Sequence, residues 1–180
     1  VEGRGVELDL RGAAPHPSAG DFELRGHWNR VPGRHAWCAA ASQLDSAEGG
    51  RNVSSGDSII VEFERGKAHK ATVVGRSEGT YHMAAEGDTS RVRQEERVLY
   101  RGERIVYDVD RHAVEVLGSA DVTYKELRLK AERVDFNTKT QRMRAVGNPV
   151  LNDGKDRITG HTMTYDLSIR QGTIHGGRTT

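Results

Sequence analysis

Eight histidines, one cysteine and 26 carboxylates are the side chains with which this 180-residue chain could do chemistry. His16, His27, His35, His69, His82, His112, His161 and His175 form no HExxH pair, no helical i,i+4 pair and no zinc-spaced cluster with Cys38. They read as strand and loop histidines, so neither a metal nor a cofactor is expected. The carboxylates fall in turns or alternate with apolar residues, and nothing singles out a pair for general acid–base work. Gly75-Arg-Ser-Glu-Gly79 lacks the Gly-Lys-Ser/Thr element and the following helix of a phosphate loop. Cys38 has no base partner, and its alanine-rich surroundings mark it as an inert small hydrophobe. Trp28 and Trp37 would suit stacking on a sugar or anchoring an interface, but local packing is the favoured reading. The Asn52-Val-Ser54 sequon carries no information without a secretory context. The chain is therefore expected not to be an enzyme.

What does recur is a pattern of a different kind. Gly102-Glu-Arg-Ile-Val-Tyr-Asp108, Ala131-Glu-Arg-Val-Asp-Phe-Asn137 and Gly160-His-Thr-Met-Thr-Tyr-Asp166 begin 29 residues apart. The register holds outside the motif, where Tyr100, Leu129 and Ile158 correspond, then Val116, Ala145 and Ile174, then Gly118, Gly147 and Gly176. A divergent copy, Asp57-Ser-Ile-Ile-Val-Glu-Phe63, places Val61 and Phe63 at the positions of Ile105 and Tyr107, with Gly75 answering Gly118. Val1-Glu-Gly3-Arg-Gly5 resembles the tail of a further unit. Both ends break off within a repeat, as expected of a segment from a longer array. Asp108, Asn137 and Asp166 recur at strand ends, where a turn-forming side chain explains them better than catalysis.

The elements that carry these residues have an apolar period of two. Ile105, Tyr107 and Val109 alternate with Arg104, Val106 and Asp108, and Val114 and Val116 with Ala113, Glu115 and Leu117. Successive strand side chains point to opposite faces, so these segments predict strands with one apolar and one solvated face. Asp110-Arg111, Thr138-Lys139, Asn152-Asp153-Gly154 and Glu64-Arg65-Gly66 supply the turns, and the recurrent glycine predicts a bulge or corner that curves the sheet. Residues 13–20 read as a loop, Arg30-Val-Pro-Gly33 as a turn, and 84–96 as a polar connection. The alanine-rich stretch from Ala36 to Glu48 suits either a short helix or a weak strand.

Composition sets the remaining bounds. The chain is 35% hydrophobic, 29% charged and 6% aromatic, with 21 glycines, one cysteine and a net charge of +1. A mean hydropathy of -0.69 argues against a thick core, and the near-balance of charge argues against a disordered polyelectrolyte. No apolar run approaches the ~20 residues of a membrane-spanning helix. A lone cysteine excludes an internal disulfide. The basic residues of the second half are interleaved with acidic ones, which reads as a solvated sheet surface and not a nucleic-acid stripe.

The expected fold is all-β: a twisted, open β-jellyroll or solenoid-like stack of antiparallel strands with very little helix. Residues 1–90 would hold divergent repeats with an insertion at 13–50, and 91–180 the repeats in register, together making one continuous jellyroll. The expected inner face is Ile59, Val61, Phe63, Ile105, Tyr107, Val114, Val116, Leu129, Val134, Phe136, Met143, Leu151, Ile158, Met163, Tyr165 and Ile174. This face is either plain sheet core or the lining of a groove for a lipid chain. The small residues Ala131, Ala145 and Gly172 among the inward positions favour a groove.

The motif, with Ala145-Val-Gly-Asn-Pro-Val-Leu-Asn-Asp-Gly154 after it, resembles the OstA-like family of lipopolysaccharide-transport proteins, which includes the periplasmic LptA bridge and the N-terminal domain of the LptD translocon. The resemblance covers 57–79 and roughly 97–180. It implies a periplasmic, non-enzymatic module that shields the acyl chains of lipopolysaccharide or a related lipid and docks end to end, by strand addition, with other OstA-like transport proteins. It also implies a protein peripheral to membranes, with homo-oligomers and attachment to the outer membrane through a further segment both left open. The insertion at 13–50 matches no repeat. Two rivals stand beside this reading: a structural β-solenoid that polymerises with a packed core and no ligand, and a carbohydrate-active solenoid. The second would need a carboxylate cluster that the sequence does not show.

Overall fold

Alternating apolar and charged residues bury one face only if strands pair side by side and then close over themselves. The computed structural model describes the backbone of residues 22–25, 28–30, 36–40, 43–46, 50–65, 67–83 and 96–179, and the side chains of 52–65, 68–83 and 96–178. These residues form sixteen strands in one hydrogen-bonded sheet, every pairing antiparallel, and no helix. The first strands are β1 (Phe22–Arg25), β2 (Trp28–Arg30), β3 (Ala36–Ala40), β4 (Gln43–Ser46), β5 (Gly50–Ser55) and β6 (Ser58–Glu64). Four long strands follow: β7 (Lys67–Met83), β8 (Arg97–Asp108), β9 (Ala113–Tyr124) and β10 (Leu127–Asn137). Short ones complete the sheet: β11 (Arg142–Val146), β12 (Val150–Asp153), β13 (Asp156–Thr159), β14 (Thr162–Asp166), β15 (Gln171–His175) and β16 (Arg178–Thr179).

The long strands bend in the middle and pass from one layer to another. Residues 67–74 of β7, 104–108 of β8, 113–117 of β9 and 133–137 of β10 pair in one layer, extended by β6 and β3 on one side and β11, β14 and β15 on the other. Residues 77–82, 97–102, 120–124 and 127–131 of the same strands make the second layer, flanked by β5 with β4 and by β12 with β13. The register slips at each bend: between Val74 and Ser77, Arg101 and Arg104, and Ala131 and Arg133. Two left-handed residues make each corner, Gly118 (φ 73) with Ser119 (φ 52) and Gly147 (φ 83) with Asn148 (φ 51). A Cβ on Gly118 would lie 2.6 Å from Glu103 Oε2, and one on Gly147 2.5 Å from Glu132 Cβ. Only glycine tolerates both the backbone and the crowding, which explains its recurrence every 29 residues.

The inner faces of both layers share one core, with Ile59, Val61, Val73, Tyr81, Ile105 and Val134 fully buried. Within the alanine-rich stretch, Ala36–Ala40 and Gln43–Ser46 are strands, which excludes the short helix. The edge of β6 offers β3 a backbone ladder, Trp37 against Val61 and Ala39 against Ile59, and that partner outweighs the helix propensity of alanine. Part of the 13–50 insertion thus extends both layers. The readings placed on Val1–Gly5, 13–20, 31–33 and 84–95 lie outside the described residues, as do the side chains of Trp28, Trp37 and Cys38.

Candidate functional site: an apolar cavity between the layers

Every inner-face residue read from the sequence either lies in the core or packs on it. Ile59, Val61, Ile105, Tyr107, Val114, Val116, Leu129, Val134, Phe136, Met143, Leu151 and Met163 are buried. Phe63, Ile158, Tyr165 and Ile174 are half-buried against them. Most of the second layer lies outside that expected face, including Tyr81, Val98, Tyr100, Val122, Tyr124 and Leu127, all of which are buried in the core. Val106, expected on the solvated face, does stand outside the core cluster but is only 9% exposed. Its cross-strand neighbours Thr72 and Glu115 share its face.

Through the middle of the molecule the layers touch. The rings of Tyr81 and Phe136 meet edge to face across the interior, with centroids 5.3 Å apart, and the Tyr81 hydroxyl donates to the Thr138 carbonyl at 3.4 Å. Deeper in, Tyr100 donates to Asn52 Oδ1 at 2.8 Å, and its oxygen lies 2.6 Å from the Tyr107 hydroxyl, which also bonds to Ser54 Oγ. Burial pushes the Tyr107 phenol up to about 12, and burial foremost raises Tyr100 well above its usual value. Both stay protonated, so the network runs from Ser54 through Tyr107 and Tyr100 to Asn52 with each oxygen partnered.

Beyond β10 the layers part. A cavity of about 230 Å³ opens between them, its floor and walls formed by Leu127, Leu129, Leu151, Ile158, Met163 and Ile174. Tyr165, Thr164, Asp153 and Arg170 stand on its lining as the polar groups. The repeat itself explains the space. One unit on from Val114 the residue is Met143 and two units on it is Gly172, and one unit on from Tyr124 it is Asp153. Two large inward side chains are thereby lost where the cavity opens. Partial burial, then the nearby Asp153 carboxylate, raises the Tyr165 phenol, so it remains neutral at this rim. Behind Arg170, Glu96 takes an ion pair from Lys125 and a hydrogen bond from Tyr124 at 2.5 Å, and those bonds lower its pKa.

The arrangement offers apolar contact and a few rim charges. Among the described residues, no group of three His, Cys, Asp or Glu side chains is placed to hold a metal. His69 pairs with Asp110 at 3.1 Å on the surface, away from the cavity lining. No described helix is long and apolar enough to cross a membrane.

Residues 119–171, which run from the corner of β9 to the start of β15 and hold most of the cavity lining, match the family model described as LptA/(LptD N-terminal domain) LPS transport protein. The fold is similar to that of LptH, the LptA homologous periplasmic component of the conserved lipopolysaccharide transport device from Pseudomonas aeruginosa. The two share 15% identity and a TM-score of 0.56, over 73% of this chain and 87% of LptH. No curated protein matches the chain in sequence. The resemblance to the OstA-like family drawn from the repeats is thus borne out, in sequence over the matched stretch and in fold over most of the chain.

Proposed function

We propose that this chain is a non-enzymatic, periplasmic bridge module of lipopolysaccharide transport, and that the space between its layers receives lipid acyl chains. The observation that carries this reading is the apolar cavity between β10, β12 and β13 on one side and β14 and β15 on the other. Each methylene moved from water into such a lining gains ~0.8 kcal/mol. At about 230 Å³ the space is smaller than the ~300–1,000 Å³ that encloses a whole small ligand, which suits the end of a chain whose head stays in water. The matched family stretch coincides with this end of the molecule. The outer edge of β15 has no partner strand among the described residues, which supports end-to-end strand addition with a second OstA-like protein.

A second reading, a structural solenoid that polymerises around a filled core, is favoured by the closed middle, where Ile105, Val116 and Val134 are at most 1% exposed. The experiment that separates the two places a photo-crosslinking benzoylphenylalanine at Tyr165 in the cavity or at Leu99, which is 49% exposed on the outer face. With purified lipopolysaccharide and illumination, an adduct is expected at Tyr165 and not at Leu99. Equal labelling at both positions, or none at Tyr165, rejects the bridge reading in favour of the solenoid.

A further inference from the structure

Tyr107, Phe136 and Tyr165 occupy one position of the repeat, yet they meet three different surroundings. Tyr107 is bonded across the interior to Tyr100 and Ser54, Phe136 is capped by Tyr81 from the opposite layer, and Tyr165 borders the cavity. We infer that the cross-layer set of Tyr100, Tyr107, Ser54 and Asn52, backed by Tyr81 on Phe136, is a clasp that shuts the interior between β5 and β10. An acyl chain seated in the terminal cavity passes β10 only when this clasp opens. This rests on the lipid reading above.

The chemistry of the clasp distinguishes it from ordinary core. A sheet interior that needs only to be filled is served by aliphatic residues, as the surrounding Val73, Val98, Val114 and Val116 show. Here four polar side chains, all buried, bond to one another, Tyr107 of one layer to Tyr100 and Ser54 of the other and Tyr100 to Asn52. Such a seam holds while dry. Each bond lost leaves a buried partner unsatisfied, so the closed arrangement weakens when a hydroxyl is removed. The layers meet at the glycine corners, which supply the bend about which they would part.

The test uses the full chain with benzoylphenylalanine at Phe63, behind the clasp, or at Tyr165, in front of it, and purified lipopolysaccharide. The unaltered clasp should give an adduct at Tyr165 and only background at Phe63. Combining Tyr100→Phe with Tyr107→Phe keeps the rings and removes the cross-layer hydroxyls. Labelling at Phe63 should then rise about five- to a hundredfold, the factor expected from losing the two hydrogen bonds between the layers, with Tyr165 labelling retained. Ser54→Ala, which spares both tyrosines, should give a smaller rise and serves if the double variant loses its β-sheet circular dichroism. Phe63 labelling in the unaltered protein, or its absence from folded variants that still label at Tyr165, overturns the clasp alone. No adduct at Tyr165 in any variant overturns the lipid reading and takes the clasp's role with it.

Discussion

The Asp166 carboxylate closes the turn after β14. One oxygen accepts from the Ser168 backbone N–H at 3.1 Å and from its hydroxyl at 2.5 Å, and the other from Arg142 Nε at 2.8 Å. Its repeat counterparts do the same local work, Asp108 accepting from the Arg111 N–H at 3.0 Å and Asn137 from the Thr140 N–H at 2.8 Å. That shared role is why Asp and Asn alternate at this position without loss of the turn. At Asp166 the Ser168 bonds and then Arg142 lower the pKa from 3.8 to about 2. A pKa depressed in the folded state adds stability above the unfolded value, and that stability is lost as the pH falls from about 4 to about 2. Carboxyl-detected NMR titration should find Asp166 near 2. Asp166→Asn, which keeps the turn, should flatten the acid limb of the melting temperature across that window. A native titration at the ordinary carboxylate value would refute this account of the turn.

At the scale of the strands, the corner decides which side chains face inward. In β8 the inward series runs Val98, Tyr100 and then Ile105, Tyr107; in β10 it runs Leu127, Leu129, Ala131 and then Val134, Phe136. Parity switches across the slip in register, so a single alternation followed along the motif finds the first layer and passes over much of the second. That is why the repeat, the glycines and the all-β class were legible in the sequence while Tyr81, Val98 and Tyr124 were not. In β7 the signal is fainter still, since Ala71, Val73 and Tyr81 sit among His69, Lys70, Arg76, Glu78 and His82. The corner can be tested by comparing two glycines with left-handed backbone. Gly147 (φ 83) faces Glu132, whereas Gly154 (φ 60) in the β12–β13 turn has nothing within 4 Å of its missing Cβ. Gly154→Ala should cost about 1 kcal/mol for the backbone alone, and Gly147→Ala roughly 2–4 kcal/mol once the clash is added. Thermal melts should show the second falling by about 4–16 °C and the first by about 2–4 °C. Equal shifts would mean that the Glu132 contact is slack and the corner is not sterically set.

Across the whole molecule, erosion of the repeat makes the site. The same 29-residue register that fills the middle with Tyr124, Val114 and Met143 leaves Asp153 and Gly172 one unit on from Tyr124 and Met143, and the cavity lies between those two positions. Repetition was visible in the sequence, but the consequence of breaking it was not, because the missing volume appears only when both layers are seen facing each other. If the cavity is the lipid site, restoring the repeat should close it. Asp153→Tyr places the side chain of the preceding unit back over Leu127, Leu151 and Ile158, where burying the ring in place of a rim carboxylate should add about 1 kcal/mol and raise the melting temperature by about 2–4 °C. Lipopolysaccharide labelling from benzoylphenylalanine at Tyr165 should fall about tenfold, equivalent to ~1.4 kcal/mol of lost binding. Asn152→Tyr, one residue along and on the opposite face of β12, should leave labelling unchanged. Labelling that survives Asp153→Tyr while the protein gains stability would show that the space was filled and the lipid had never occupied it. The protein's own side chains would then be the whole content of the jellyroll.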